Sequence, residues 1–290
     1  MPGTLWRVWC AVATAGEAEA AARAFDRVMA TVSAFEIERQ GGWLVEGLSA
    51  TEPDGAALDV LLALALGTWR PPALAVERLP PRDWLAENQQ SFAPFGVGRY
   101  FIHGSHWRGV ADAGRIPIAI DAATAFGTGE HGSTKGCLLA LDRMARSTRR
   151  PRRILDMGCG TGILAIAAAK CWGARAVACD IDAEAVRVAR HNAAVNGVGH
   201  SIAPHRVATP RARAVRRGAP YDLVLANILA RPLMLMARDL ARVASPGAAI
   251  VLAGILPWQE AALLSAWRRV GAILETRILV EDWSTLVLRR

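Results

Sequence analysis

Lysine is nearly absent from this chain: among 34 basic residues, Lys135 and Lys170 are the two lysines and the other 32 are arginines. Cysteine is sparse as well. Cys10, Cys137, Cys159, Cys171 and Cys179 form an odd set of 5, and no two stand at CxxC spacing. That pattern argues against a disulfide frame or a zinc site and for reduced thiols in a cytoplasm. His103-x-x-His106 has no carboxylate or cysteine company at ligand spacing, so no metal is expected there. Long apolar runs are missing too: Val60 to Trp69 has ten residues and Pro246 to Trp258 thirteen, against about 20 for a membrane-crossing helix. Met1-Pro2-Gly3-Thr4 shows no basic stretch leading into an apolar core, so a secretory leader is not expected.

What is present is globular: 290 residues, 52% hydrophobic and 21% charged, enough for one large domain or two smaller ones. The net charge of +8 is unevenly placed. Residues 1–80 carry 6 Arg against 10 Asp and Glu, a net −4, whereas residues 81–290 carry 28 Lys and Arg against 16 acids, a net +12. Such asymmetry predicts different partners for the two halves.

Residues 1–79 read as an α+β unit of order βαββαβ, that of a ferredoxin-like sheet with its helices on one face. Its strands are placed at Leu5–Val12, around Phe35–Ile37, around Trp43–Val45 and around Leu74–Val76, and its helices behind Gly16-Glu17 and over 56–66. Residues 80–98 read as a connector with a short helix from Arg82 to Phe92. From 99 to 290 the chain reads as a doubly wound, mostly parallel α/β sheet. Strands are expected near Tyr100–His103, Ile116–Ile120, Arg153–Met157, Ala176–Asp180, His205–Val207, Tyr221–Asn227 and Ala248–Gly254. Helices are expected at about 132–146, 162–172, 183–196, 231–243 and 257–269. Ile273–Val280 and Thr285–Leu288 stand too close for a crossover helix and should pair antiparallel.

The strongest local pattern is Asp156-Met157-Gly158-Cys159-Gly160-Thr161-Gly162, which joins an apolar strand to an apolar helix. Glycines permit a tight turn and close ligand approach, and the helix start offers free N–H groups. The dinucleotide fingerprint GxGxxG would need glycine at Ile163. The DxGxGxG spacing found instead points away from pyrophosphate and toward S-adenosylmethionine. Asp180 ends the next strand, 22 residues after Gly158, where a carboxylate can accept from ribose hydroxyls. Asp182 reads as a helix cap. Asn227 ends the fourth strand beside the switch point, where an amide can accept from a substrate amine and donate elsewhere. Upstream, Phe126-Gly127-Thr128-Gly129 forms a glycine-rich loop, with Ser133 or Thr134 placed to cap the following helix.

Phe126-Gly127-Thr128-Gly129, the Asp156–Gly162 loop, Asp180, Asn227-Ile228-Leu229-Ala230 with Pro232, and the Glu281-Asp282-Trp283 ending together resemble the PrmA family, methyltransferases of ribosomal protein L11. The resemblance spans nearly the whole chain. It implies a class I, Rossmann-like methyltransferase domain behind a domain that holds the ribosomal protein, joined by a connector that lets the catalytic domain swing. It further implies S-adenosylmethionine as cofactor, with Phe126, Thr134, Gly158, Gly160, Asp180 and Asn227 as contacts and Asn227 as the catalytic group. The implied acceptors are α-amino and lysine ε-amino groups, and a monomer in the cytoplasm is expected. Two departures stand out. The family often has HPTT where this chain has His131-Gly132-Ser133-Thr134, and a residue other than Arg often stands at position 231.

Two other readings follow from the residues. The +12 of residues 81–290, with Arg149-Arg150, Arg152-Arg153 and Arg211 through Arg217, invites an RNA methyltransferase. Aromatic side chains are not interleaved among those arginines as base stacking would want, which favours a solvated surface. A binding module without turnover would not need both Asp180 and Asn227. The acidic leading residues instead suggest capture of a basic protein.

Overall fold

A computed structural model describes residues 5–29, 31–37, 41–49, 51–79, 93–112, 114–121 and 131–290. The chain divides into two compact units, Met1–Asp83 and Trp84–Arg290. The expected connector helix from Arg82 to Phe92 and the Phe126–Gly129 loop lie outside the described residues.

In the first unit β1 (Leu5–Val12), β2 (Thr31–Glu36), β3 (Trp43–Ser49) and β4 (Ala75–Leu79) form an antiparallel sheet of order β2-β3-β1-β4. Helix α1 (Ala15–Phe25) starts at a capping box in which Thr14 and Glu17 satisfy each other's backbone N–H groups. Helix α2 (Gly55–Leu66) is capped by Asp54 and ended by Gly67 in the left-handed region. Period-2 alternation sends Val8, Cys10 and Val45 toward both helices, where they meet Ala21, Phe25, Leu58 and Leu62.

The second unit holds a three-stranded sheet of β5 (Phe95–Val97), β6 (Tyr100–His103) and β7 (Ile116–Ala119). Its main sheet has seven strands: β8 (Arg153–Met157), β9 (Arg175–Asp180), β10 (Ile202–Arg206), β11 (Tyr221–Asn227), β12 (Ala244–Ile255), β13 (Ile273–Val280) and β14 (Trp283–Arg289). Their order is β10-β9-β8-β11-β12-β14-β13. Every neighbouring pair from β10 to β12 is parallel, and β14 runs antiparallel to both β12 and β13. The order reverses at β8, so the crevice outside the carboxyl ends of β8 and β11 is a topological switch point.

Alternate residues of each strand supply the two cores. Ile154, Leu223, Leu225 and Val251 pack with α3 (Gly132–Met144), α4 (Ile163–Trp172) and α5 (Ala183–Val195). Leu155, Val224, Ile250 and Leu252 pack with Val215 of α6 (Arg213–Gly218), with α7 (Ala230–Val243) and with α8 (Glu260–Arg268). Both sheet faces are covered, which is why these strands read as continuous apolar runs. No described helix is long and apolar enough to cross a membrane.

Four expectations need correction. Ser133 and Thr134 do not cap α3: its cap position is His131, with no side-chain cap bond, and both hydroxyls lie inside the first turn. Strand β10 runs from Ile202 to Arg206 rather than over 205–207, Val207 being held just past its end by a bond from its N–H to the Asp180 carbonyl at 2.8 Å, and β12 begins at Ala244 rather than near 248. The final long helix splits into a 3-10 turn, Pro257–Gln259, followed by α8.

Candidate active site at the carboxyl edge of the parallel sheet

The β8–α4 turn is built from three left-handed glycines, Gly158 (φ 80°), Gly160 (φ 51°) and Gly162 (φ 81°). Left-handed φ is costly for residues with a Cβ. Gly158 also lies under Ile228: a Cβ there would come within 2.2 Å of Ile228 Cγ2. At Gly162 it would press on Ala189 of α5 at 3.1 Å, so the third glycine lets α4 start close against its neighbour. The N–H groups of Gly158 and Cys159 both donate to the carbonyl of Cys179, at 2.7 and 2.9 Å, tying the loop to the end of β9.

Asp180 completes that tie. Its Oδ2 accepts from Gly160 N at 2.9 Å and its Oδ1 from Asp182 N at 3.1 Å. Asp182 caps α5, accepting from Glu184 N at 2.9 Å, as its position in the sequence predicts. One carboxylate therefore fixes both the glycine turn and the mouth of α5, and it is partly exposed where it lines the crevice.

Asn227, at the carboxyl end of β11, donates from Nδ2 to Thr134 Oγ1 at 3.3 Å. Its Oδ1 is shielded from solvent and has no hydrogen-bond partner among the described residues. A buried amide oxygen left unpaired costs about 1–3 kcal/mol, so this atom marks a place where a donor from a ligand belongs. Thr134 is itself buried in the first turn of α3. Two contacts hold that turn against the terminal hairpin: His131 packs tilted against Trp283 with ring centroids 4.4 Å apart, and Lys135 pairs with Glu281 at 3.0 Å. His131 also lies 2.8 Å from Ser133 Oγ through Nδ1.

Thr134, Gly158, Gly160, Asp180 and Asn227 line one cavity of about 550 Å³. The structure thus brings together five of the six candidate site residues; the sixth, Phe126, lies outside the described residues. Sequence reasoning missed the apolar wall, which includes Val207, Ile228 and Leu235. Ile181, Leu229 and Leu235 at the pocket are 68%, 72% and 74% exposed and form an apolar rim. Arg231 is exposed in the first turn of α7 beside that rim.

Asp156, the acid that opens the glycine motif, is fully buried and does not line the cavity. Its Oδ2 accepts from Ala165 N at 3.1 Å and its Oδ1 has no partner among the described residues. Burial pushes its carboxyl up to about 7, the nearby Asp180 charge adding to the rise and the Ala165 N–H opposing it. An unfolded aspartate ionises near 3.8, so between these values the folded chain holds the extra proton and stability falls as pH rises. Urea unfolding should show a loss on the order of 2 kcal/mol between pH 5 and pH 8 from this group. Asp156→Asn should remove that part of the slope; an unchanged slope would refute the buried-acid assignment. Cys159 and Cys179 flank the same acids, and burial raises both thiols, that of Cys179 to about 12. A protonated, buried Cys159 is inert packing rather than a redox-sensitive group.

The cavity suits a nucleoside with an uncharged or cationic tail: it offers a carboxylate, an unpaired amide oxygen and apolar walls, and no cation projects from the glycine turn. Comparisons with known proteins agree. A family model described as "Ribosomal protein L11 methyltransferase (PrmA)" matches residues 19–290. A ribosomal protein L11 methyltransferase of Bradyrhizobium diazoefficiens is 42% identical over 90% of this chain and 88% of its own. One from Caulobacter is 39% identical over 94% of each chain. The crystal structure of a ribosomal protein L11 methylase from Lactobacillus delbrueckii subsp. bulgaricus superposes with a TM-score of 0.61 at 25% identity, covering 69% of this chain and 99% of that one.

Proposed function

This chain belongs to the ribosomal protein L11 methyltransferase family, and from that premise we propose that it methylates amino groups of ribosomal protein L11 with S-adenosylmethionine as donor. The observation that carries the reading is Asn227, which lines the same cavity as Asp180 and the glycine turn and whose Oδ1 has no partner among the described residues. When bound, S-adenosylmethionine supplies an electrophilic methyl group on a positively charged sulfur. Asp180 and the turn at Gly158 and Gly160 hold its sugar, and Thr134 fixes Asn227 so that Oδ1 accepts from the incoming amine. That hydrogen bond leaves the amine lone pair free and aimed.

The nucleophile is the neutral amine. Near pH 7.5, deprotonation costs roughly 4 kcal/mol for a lysine and under 1 kcal/mol for an α-amine. Apolar walls depress an amine's pKa, so the reaction does not require a dedicated base. Positioning supplies the rest, up to roughly 7–11 kcal/mol in favourable cases. We further propose that the leading unit, with its net negative charge, holds the basic substrate protein, and that the exposed Ile181, Leu229 and Leu235 rim is covered when an amine enters.

Methyl-labelled donor offered separately with purified ribosomal protein L11 and with ribosomal RNA tests the assignment. Label is expected in the protein, on α-amino and lysine ε-amino groups. Label confined to the RNA, or no label in either, overturns it.

A further inference from the structure

The edge of the main sheet opposite the cavity is built almost without carboxylates. Residues 145–153, 173–175 and 208–220 contribute to it or lead into it, and they contain no Asp, no Glu and no aromatic residue. Arg150, Arg152, Arg153, Arg175, Arg216 and Arg217 are exposed, and none has an ion-pair partner among the described residues. Elsewhere on the chain Arg7, Arg99, Arg187 and Arg277 each pair with an acid, and within these segments Arg146 and Arg211 do so, with Asp142 and Asp239. Two further acids reach the arginine edge, and both are already engaged. Asp222 Oδ2 accepts from Arg152 N and Arg153 N at 2.9 and 3.0 Å. Glu275 takes two hydrogen bonds from Arg289, at 2.7 and 2.8 Å.

The arrangement is a row. Arg175 and Arg153 are register partners at the heads of β9 and β8. Arg216 and Arg217 close α6 just before the head of β11. A cleft of about 330 Å³ opens at the heads of β11 and β12, lined by Arg149, Arg150, Ser147, Asp222, Ser245 and Gly247. From β9 to β12 the row crosses four adjacent strands, about 15 Å at the usual strand spacing. That matches four to five stacked nucleotides at about 3.4 Å each. Arginine suits phosphate through its planar fork of donors. The absence of aromatic residues excludes a stacking platform, and none of the large exposed apolar side chains falls in these segments, as a membrane-binding face would need.

We propose that this arginine edge is a docking surface for the phosphodiester backbone of single-stranded RNA, separate from the methyl-transfer cavity and independent of sequence. Because the two sites lie on opposite edges of the sheet, RNA bound here leaves the cavity open. The proposal does not rest on the identity of the methylated protein.

Fluorescence anisotropy with a labelled oligouridylate tests it. Affinity should fall steeply with salt, log K against log salt dropping by about 0.7 for each phosphate neutralised. The variant R150Q/R152Q/R153Q/R175Q should bind at least tenfold more weakly, with a slope shallower by about 3. Its affinity for S-adenosylmethionine should be unchanged. R216Q/R217Q, on a separate element, should weaken RNA binding several-fold, and R187Q/R190Q, with two charges removed from α5, should not. Should the quadruple variant melt early, R216Q/R217Q decides alone. RNA affinity equal to the parent's in R216Q/R217Q, or polyglutamate bound as tightly as RNA, overturns the proposal.

Discussion

Asn227→Ala is expected to lower turnover about a hundredfold while changing the dissociation constant for S-adenosylmethionine by no more than a few-fold. The wall of the cavity is otherwise kept, because the glycine turn, Asp180 and the apolar residues all remain. What goes is the amide between Thr134 Oγ1 and the position of the incoming nitrogen. A reacting atom released from its line of approach costs on the order of a hundredfold, or about 2.7 kcal/mol in the barrier. Asn227→Asp sharpens the expectation. A carboxylate still accepts from the amine, but it stabilises the protonated form and raises the amine's pKa. Its turnover should therefore fall at neutral pH and recover partly as the pH rises, displacing the profile to higher pH. Single-turnover rates with saturating donor, set beside calorimetric donor affinities, separate the two effects. Turnover of Asn227→Ala within threefold of the parent would remove this residue from the catalytic assignment.

The parts of this arrangement that were legible in the sequence are those with short-range causes. Glycines at alternate positions after an apolar strand have little use except a tight turn, and all three of Gly158, Gly160 and Gly162 adopt left-handed φ. Asp182 announces a helix start two residues ahead of Glu184, and Asp180 ends a strand of ordinary length. Long-range causes left no such trace. Thr134 reads as a helix cap because Ser and Thr commonly fill that position. Its hydroxyl is instead committed to Asn227, 93 residues further along the chain. Helix α6 escaped notice since six residues with Val215 as their buried member show no period. Strand β10 was displaced for a related reason. Val207 looks like its apolar end, yet the chain turns there and gives that side chain to the cavity.

The larger loss of donor affinity should follow Asp180→Ala, at about a hundredfold in the dissociation constant. Hydrogen bonds to a charged acceptor contribute about 1.5–3 kcal/mol each, and tenfold in affinity corresponds to about 1.4 kcal/mol. A carboxylate that loses both ribose hydroxyls thus reaches that range. Asp180 also accepts from Gly160 N and Asp182 N, so part of the loss in the alanine variant comes from a loosened turn. Two further measurements apportion it. Asp180→Asn keeps one oxygen for the turn, removes the charge and should lose only about tenfold. A donor analogue lacking the 2′-hydroxyl should bind the parent more weakly but bind Asp180→Ala no worse than the intact donor does. That non-additivity is the mark of direct contact. Equal affinity for the intact donor in the parent and in Asp180→Ala would show that the ribose is held elsewhere. Full additivity with the analogue would leave Asp180 as a support of the glycine turn alone.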